Sequence, residues 1–264
     1  MATGFVVTGR GDLDALFKAR ASAAGANTGF RSNGGVDVAQ RFEPRGAATA
    51  IANTGFLNSS GVDLAAVFQD INYAPPFTPV THTYNSGTAL TETVPVGATS
   101  CVITVLGGGG GGGLKNTTTG GGGGGGGRVI KTVAVSNSGG QTFTYTVGAS
   151  APGATVAGNS GTSGRASTVS SASPSVSLNA GGGGAGIFTP SNSAGGTATG
   201  GDTNTPGTGG LATGQGGASG GGFAGGTGDG INGSIPGGGG SGGIGTGSGR
   251  GGTGQRGEIS FAYT

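Results

Sequence analysis

Reactive side chains are scarce in this 264-residue sequence, which has one cysteine, Cys101, and one histidine, His82. A single thiol excludes an internal disulfide framework and any multi-cysteine metal site, and a single imidazole leaves few ligands or general bases. No catalytic, cofactor-binding or metal-ligating set emerges, and we expect no enzyme, no cofactor and no bound metal. Charge is thin as well: 12 Lys and Arg stand against 10 Asp and Glu, for a net +2. With no basic block or stripe, a nucleic-acid partner is not expected. No apolar run approaches the ~18 residues of a membrane span. The opening MATGFVVTGRGDLDALF has neither the basic nor the apolar region of a secretory signal. Neither membrane insertion nor a signal peptide is expected.

Glycine is abundant, at 70 residues, and unevenly placed: 12 fall in residues 1–106 and 58 in 107–264. Charge is depleted where glycine is dense, since only Arg165, Asp202 and Asp229 are charged between Thr132 and Gly249. The two parts must be held together by different means.

The first part carries a repeat. Thr-Gly-Phe recurs with its Phe at Phe5, Phe30 and Phe56, and Asp12, Asp37 and Asp63 follow seven residues after each. Five residues past each Asp stands Phe17, Phe42 or Phe68. Asp is a good helix N-cap, and the apolar residues one and five beyond it share a helical face. Each unit therefore reads as a turn, a strand-like start and a short helix. Units this small cannot bury their own Phe pair, so they must stack or dock on another subunit. Residues 1–72 are thus expected to be an assembly module. Residues 73–87, with Pro75, Pro76 and Pro79, read as an extended linker, with His82 an inert surface histidine.

Short β-branched or aromatic runs follow at 90–95, 101–106, 128–135 and 142–147, with a last one at 257–263. Their composition and their Gly, Asn or Ser boundaries predict strands, with Cys101 packed as a small hydrophobe. From Gly148 onward, large apolar residues are too few for a conventional core to repay the ordering of so much backbone. The tract is then disordered, ordered by association, or ordered by hydrogen bonding between glycine-rich extended helices. We take the last. Such helices have three residues per turn and no internal hydrogen bonds, so their amides pair sideways. Period-three glycine occurs at 214, 217 and 220; at 222, 225 and 228; at 237, 240 and 243; and at 251, 254 and 257. The broken register excludes collagen. The bulky residues of the tract, Ile187, Phe188, Leu211, Phe223, Ile231 and Ile235, with Ile244, either fill the bundle or stand exposed in loops where a partner could bind.

Several motifs dissolve on inspection. No glycine run leads into Gly-Lys-Ser/Thr, so there is no phosphate-binding loop. Matches to GxGxxG are trivial in such a chain and lack the strand, helix and acidic residue of a dinucleotide site. Arg10-Gly11-Asp12 is explained by the repeat, whose N-cap is Asp12. Asp202, Asp229 and Glu258 offer no dry carboxylate pair, and no regular Thr-x-Thr ladder runs through the glycine tract.

The succession TETVPVGATSCVITVLGGGGGGG, GGGGGGGGRVIKTVAV, QTFTYTVGASAPGATVAGNSGTSGRAS and GRGGTGQRGEISFAYT resembles the glycine-rich domain of bacteriophage tail fibre and tail-tip proteins. The resemblance covers residues 88–264. It implies a mainly β protein in which an antiparallel β-sandwich-like base carries a bundle of polyglycine II-type helices. It further implies a virion tail protein, assembled in the host cytoplasm and commonly a homo-oligomer. Its partners would be other tail proteins, through the N-terminal repeats, and a bacterial surface glycan or outer-membrane protein, through loops. Family loops vary too much to transfer a site residue.

Overall fold

The computed structural model describes residues 77–264, apart from 137, 247 and 248, together with six short strand segments among residues 1–76. The chain divides into two units, Met1–Pro76 and Phe77–Thr264.

In the first unit the described backbone forms three antiparallel strand pairs: β1 (Val6–Val7) with β2 (Gly11–Asp12), β3 (Lys18–Ala19) with β4 (Phe30–Arg31), and β5 (Phe42–Pro44) with β6 (Phe68–Asp70). Phe42 and Phe68, expected to end short helices, are strand residues here. Phe5, Phe17, Phe56, Asp37 and Asp63 lie outside the described residues, and with them most of the expected repeat helices.

The second unit is mainly β, with antiparallel sheets and no helix among its described residues. Its strands are β7 (Val80–Tyr84), β8 (Leu90–Thr93), β9 (Ser100–Leu106), β10 (Leu114–Lys115), β11 (Arg128–Ala134), β12 (Thr142–Thr146), β13 (Ser167–Ser171), β14 (Val176–Ala180), β15 (Ala198–Thr199), β16 (Thr203–Thr205), β17 (Gly243–Ile244) and β18 (Glu258–Tyr263). One five-stranded sheet has the order β16-β11-β9-β18-β7, and a second has the order β15-β14-β13-β12-β8. The stretch expected as a linker thus supplies β7, an edge strand that pairs with the last strand of the chain.

Alternation explains the core. On β9 the inward Cys101, Ile103 and Val105 are fully buried, as are Phe143 on β12 and Ile259 and Phe261 on β18. Phe143 and Phe261 stack with centroids 5.5 Å apart, and Tyr84 stacks on Tyr145 at 4.5 Å, the offset geometry that aromatic quadrupoles favour. Outward positions of the second sheet carry hydroxyls and amides. Its register aligns Thr91, Thr144, Ser170 and Ser177 in one row across four strands, and Thr146, Thr168 and Asn179 in the next.

The strands do not turn back at one end of the sandwich; they run on into glycine. From β9 the chain enters 107–113, and 120–127 leads into β11. Neither run is helix or strand, and both are buried throughout. Their hydrogen bonds repeat every third residue. Gly107, Gly110 and Gly113 donate to the carbonyls of Gly127, Gly124 and Gly121; Gly108 and Gly111 donate to Arg165 and Thr162; Gly109 and Gly112 donate to Gln255 and Gly252, all at 2.7–2.9 Å. Three neighbours addressed in rotation is what three residues per turn produces. Gly183, Gly240 and Ala154 in turn donate into this run, so it touches six other segments. The second run is surrounded in the same way, by 107–113, 181–187, 193–197, 207–211, 215–220 and 237–243.

These two runs are the interior of the bundle, and that is why they are pure glycine. A Cβ on Gly110 would collide with the Gly184 carbonyl, and one on Gly123 with that of Gly110. Segments at the periphery need glycine only on their inward face, which gives the period of three. In 251–257, for instance, Gly251, Gly254 and Gly257 are buried against Gly112, Gly109 and Leu106, whereas Thr253, Gln255 and Arg256 are partly exposed; 237–243, buried throughout, is glycine at six of its seven positions like the two interior runs. The spacing at 222, 225 and 228 has a different origin, because Gly222 and Gly228 have φ of +82° and +103° and sit in turns that end one segment and start another.

Candidate binding end of the glycine bundle

Each peripheral segment has amides on its outer side that no glycine neighbour reaches, and side chains cap them. The Ser163 and Ser160 hydroxyls accept from the amides of Ala185 and Phe188, Asn192 Oδ1 from that of Ala212, and Asp229 Oδ1 from that of Ile244 at 2.6 Å. Polar residues in the connecting loops therefore complete the ladder, and their placement follows from the need to pair every amide.

The segments reverse at the end away from the sandwich in loops around 114–119, 155–158, 188–192, 212–214, 227–230 and, among the described residues, 244–246 and 249–250. Backbone contacts tie these loops together. Leu114 bonds to Asn159, Gly158 to Leu114 and Gly245 to Lys115, and β10 pairs in parallel with β17. At this end Ile187, Phe188, Leu211 and Ile231 are 37–50% exposed. They do not fill the bundle, whose packed glycine segments leave room only for small side chains such as the buried Ser241, Ala151 and Ala154. Val156, in the 155–158 loop, is exposed as well; the sequence reading passed over it because a lone valine between threonine and alanine carries no signal. Phe223 and Ile235 are also exposed, but at the opposite end of the bundle, where Gly221 lies beside Leu106 and Gly237 beside Gly107. The six bulky residues thus divide into a far-end group of four and a pair next to the sandwich.

Among the repeat positions, Asp12, Phe30, Phe42 and Phe68 fall on the short strands of the first unit.

The titratable cluster of the second unit lies inside the sandwich. Glu92, 3% exposed, accepts hydrogen bonds from His82 Nδ1 at 2.7 Å, from the Tyr84 hydroxyl, and from the Tyr263 hydroxyl at 2.9 Å. His82, expected to be inert, is one of three donors that make this buried carboxylate tolerable. The Tyr84 hydroxyl is pushed up, first by its bond to Glu92 and then by burial, and that of Tyr263 is raised chiefly by burial. Burial pushes the Cys101 thiol up to about 12, which makes it a packing residue rather than a nucleophile. On the surface, the Thr132 amide and the Lys131 ammonium hold the Asp202 carboxyl below its usual range. Among the described residues no three His, Cys, Asp or Glu converge to hold a metal, and no helix is long and apolar enough to cross a membrane.

Residues 83–264 match the family described as a glycine-rich domain. No curated protein matches the chain.

Proposed function

The chain belongs to the glycine-rich domain family, and from that premise we propose that it is a receptor-binding adhesin of a bacteriophage tail, in a fibre or at the tip. The bundle acts as a stiff stalk and its far-end loops meet the host surface. The observation that carries this reading is the gathering of Val156, Ile187, Phe188, Leu211 and Ile231, all exposed, at one end of a scaffold whose glycine runs leave no room for bulky side chains. Apolar groups clustered on a surface mark interaction sites more often than they occur idly. Resemblance to tail proteins supplies the setting: a virion protein, docked to other tail proteins by residues 1–72, oligomeric as fibres commonly are, with a bacterial surface glycan or outer-membrane protein as receptor.

The test is saturable binding of the full chain to intact cells from a host panel, together with blocking of adsorption by the parent particle. Phe188→Ser and Leu211→Ser should each weaken cell binding by about tenfold, the range of an interface anchor, without unfolding the chain. A folded chain that binds no host leaves a second reading, a purely structural component of tail or capsid. Phe223 and Ile235 favour that alternative, since they are exposed near the sandwich, where a neighbouring subunit rather than a host would meet them.

A further inference from the structure

A different face of the second unit carries features that the end loops do not explain. The outward rows of the second sheet hold threonine, serine and asparagine and no ionisable side chain. Two concavities lie on this face. One, of about 860 Å³, is lined by Thr142, Thr144, Ser170 and Ser173 among others; the second, of about 600 Å³, is lined by Thr88, Thr146, Val147, Ala149, Arg165 and Ala166. Thr144 in the first and Thr146 in the second are alternate residues of β12, one strand repeat of about 7 Å apart. The two concavities therefore form one track along β12 and β13.

The bundle end of that track holds a charge and a turn that bear on its ligand. Arg165 is exposed, and among the described residues its guanidinium has no carboxylate or hydrogen-bond partner. Next to Thr88, Ala89 has φ +50°, the one non-glycine residue with positive φ among the described residues. Its amide donates to Thr146 Oγ1 at 3.0 Å. Backbone held in the left-handed region costs of order 1 kcal/mol or more and concentrates at functional sites.

We infer that this track binds a linear acidic polysaccharide, its sugar hydroxyls exchanging hydrogen bonds with the threonine and serine rows and one carboxylate pairing with Arg165. A guanidinium presents a planar fork that matches a carboxylate. A single cation at one end of an uncharged track fits a ligand with sparse acid groups. It does not fit a nucleic acid, whose binding needs many cations along its length. Outward threonine has an ordinary explanation in strand propensity, but propensity accounts neither for the placement of Arg165 in the lining of the track nor for Ala89. The site is separate from the far-end loops and does not depend on the adhesin reading.

Calorimetric titration of the full chain tests it, with an oligosaccharide that alternates glucuronic acid and a neutral sugar, the same oligosaccharide with its carboxyls reduced, and inorganic phosphate. The acidic oligosaccharide should bind, and its reduced form should bind at least about tenfold more weakly. Arg165→Ala should erase that difference, whereas Thr144→Val should weaken both sugars. Lys131→Ala, a surface cation on the other sheet, should leave all of these affinities unchanged. Melting curves of the variants keep the outcome readable, since the Arg165 side chain ties down nothing in the fold. Failure of the wild-type chain to bind, or wild-type affinity in Arg165→Ala, overturns the inference. Phosphate binding that matches or displaces the sugar reduces the site to a simple anion contact and overturns the polysaccharide assignment.

Discussion

The Tyr263 hydroxyl donates to Glu92 Oε1 at 2.9 Å and so joins the last strand of the chain, in one sheet, to β8 in the other. His82 and Tyr84, on the edge strand β7, reach the same carboxylate. One buried acid thus fastens the edge and the centre of the first sheet to the second. Removing it strands three donors, two of them phenols in or beside an aromatic core. Glu92→Ala should lower stability by about 3–5 kcal/mol, since each buried donor left without its acceptor costs about 1–3 kcal/mol. Glu92→Gln keeps the shape and one acceptor and should cost less, about 1–2 kcal/mol. Urea midpoints at constant slope check both, and equal midpoints for Glu92→Ala and the wild type would remove the network from any role in stability.

Alkali should loosen the same region. The hydroxyls of Tyr84, Tyr145 and Tyr263 and the thiol of Cys101 are all raised in the folded state, from ordinary values of 10.0 and 9.0. Folding favours their protonated forms, so this contribution is complete below about pH 9 and is lost as pH rises through the folded values. The urea midpoint should fall steadily above pH 9. Cys101, with its thiol pushed up to about 12, should resist a thiol reagent at pH 8 until denaturant is added. Rapid labelling of the native chain would show that the sandwich opens there.

Interior and peripheral positions of the bundle should differ sharply in tolerance. A Cβ on Gly123 meets the Gly110 carbonyl, and the backbone on every side is another packed glycine segment. Gly123→Ala should abolish ordered folding of the bundle, whereas Ala194→Ser, at an exposed peripheral position, should change stability by less than about 0.5 kcal/mol. Amide exchange over 107–113 and 120–127 distinguishes the two variants. Retained protection in Gly123→Ala would contradict the interior placement of this run.

How much of this could be read from the sequence depends on what each element demands of its residues. The runs 107–113 and 120–127, and nearly all of 237–243, announce themselves because an interior segment leaves almost no room for anything but glycine, and 251–257 shows its period because only one face is inward. Five strands are legible by their β-branched and aromatic runs. Others are not: β13 turns Ser167 and Val169 inward, and β14 turns Val176, Leu178 and Ala180, small residues among Ser, Thr and Asn that read as loop. The prolines before β7 make its flank look like a linker, although the strand begins directly after Pro79. Pairings such as β16 on β11, separated by some seventy residues, leave no local mark. The exposed far-end residues could be named but not placed, since a bulky residue amid glycine looks the same whether it fills a core or faces water. Arg165 was visible only as a rare charge.

Ser167 connects the sandwich to the bundle through its hydroxyl alone. It is fully buried, its Oγ donates to the Leu106 carbonyl at 2.6 Å, and it accepts from the Gly148 amide at 2.8 Å. Leu106 and Gly148 are the points where β9 and the β12 chain leave the sheets for the bundle, so one hydroxyl ties the two exits together. Ser167→Ala takes from the Gly148 amide its buried acceptor, at a cost of about 1–3 kcal/mol. Ser163→Ala removes a comparable bond, to the Ala185 amide, at an exposed position where water replaces it, and should cost less than about 0.5 kcal/mol. The difference should also be local: amide exchange in Ser167→Ala should rise first at Gly148 and at the start of the first glycine run. A uniform loss of protection would mean that sandwich and bundle unfold as one unit, and an unchanged melting curve would mean that a water takes the place of the hydroxyl at the junction.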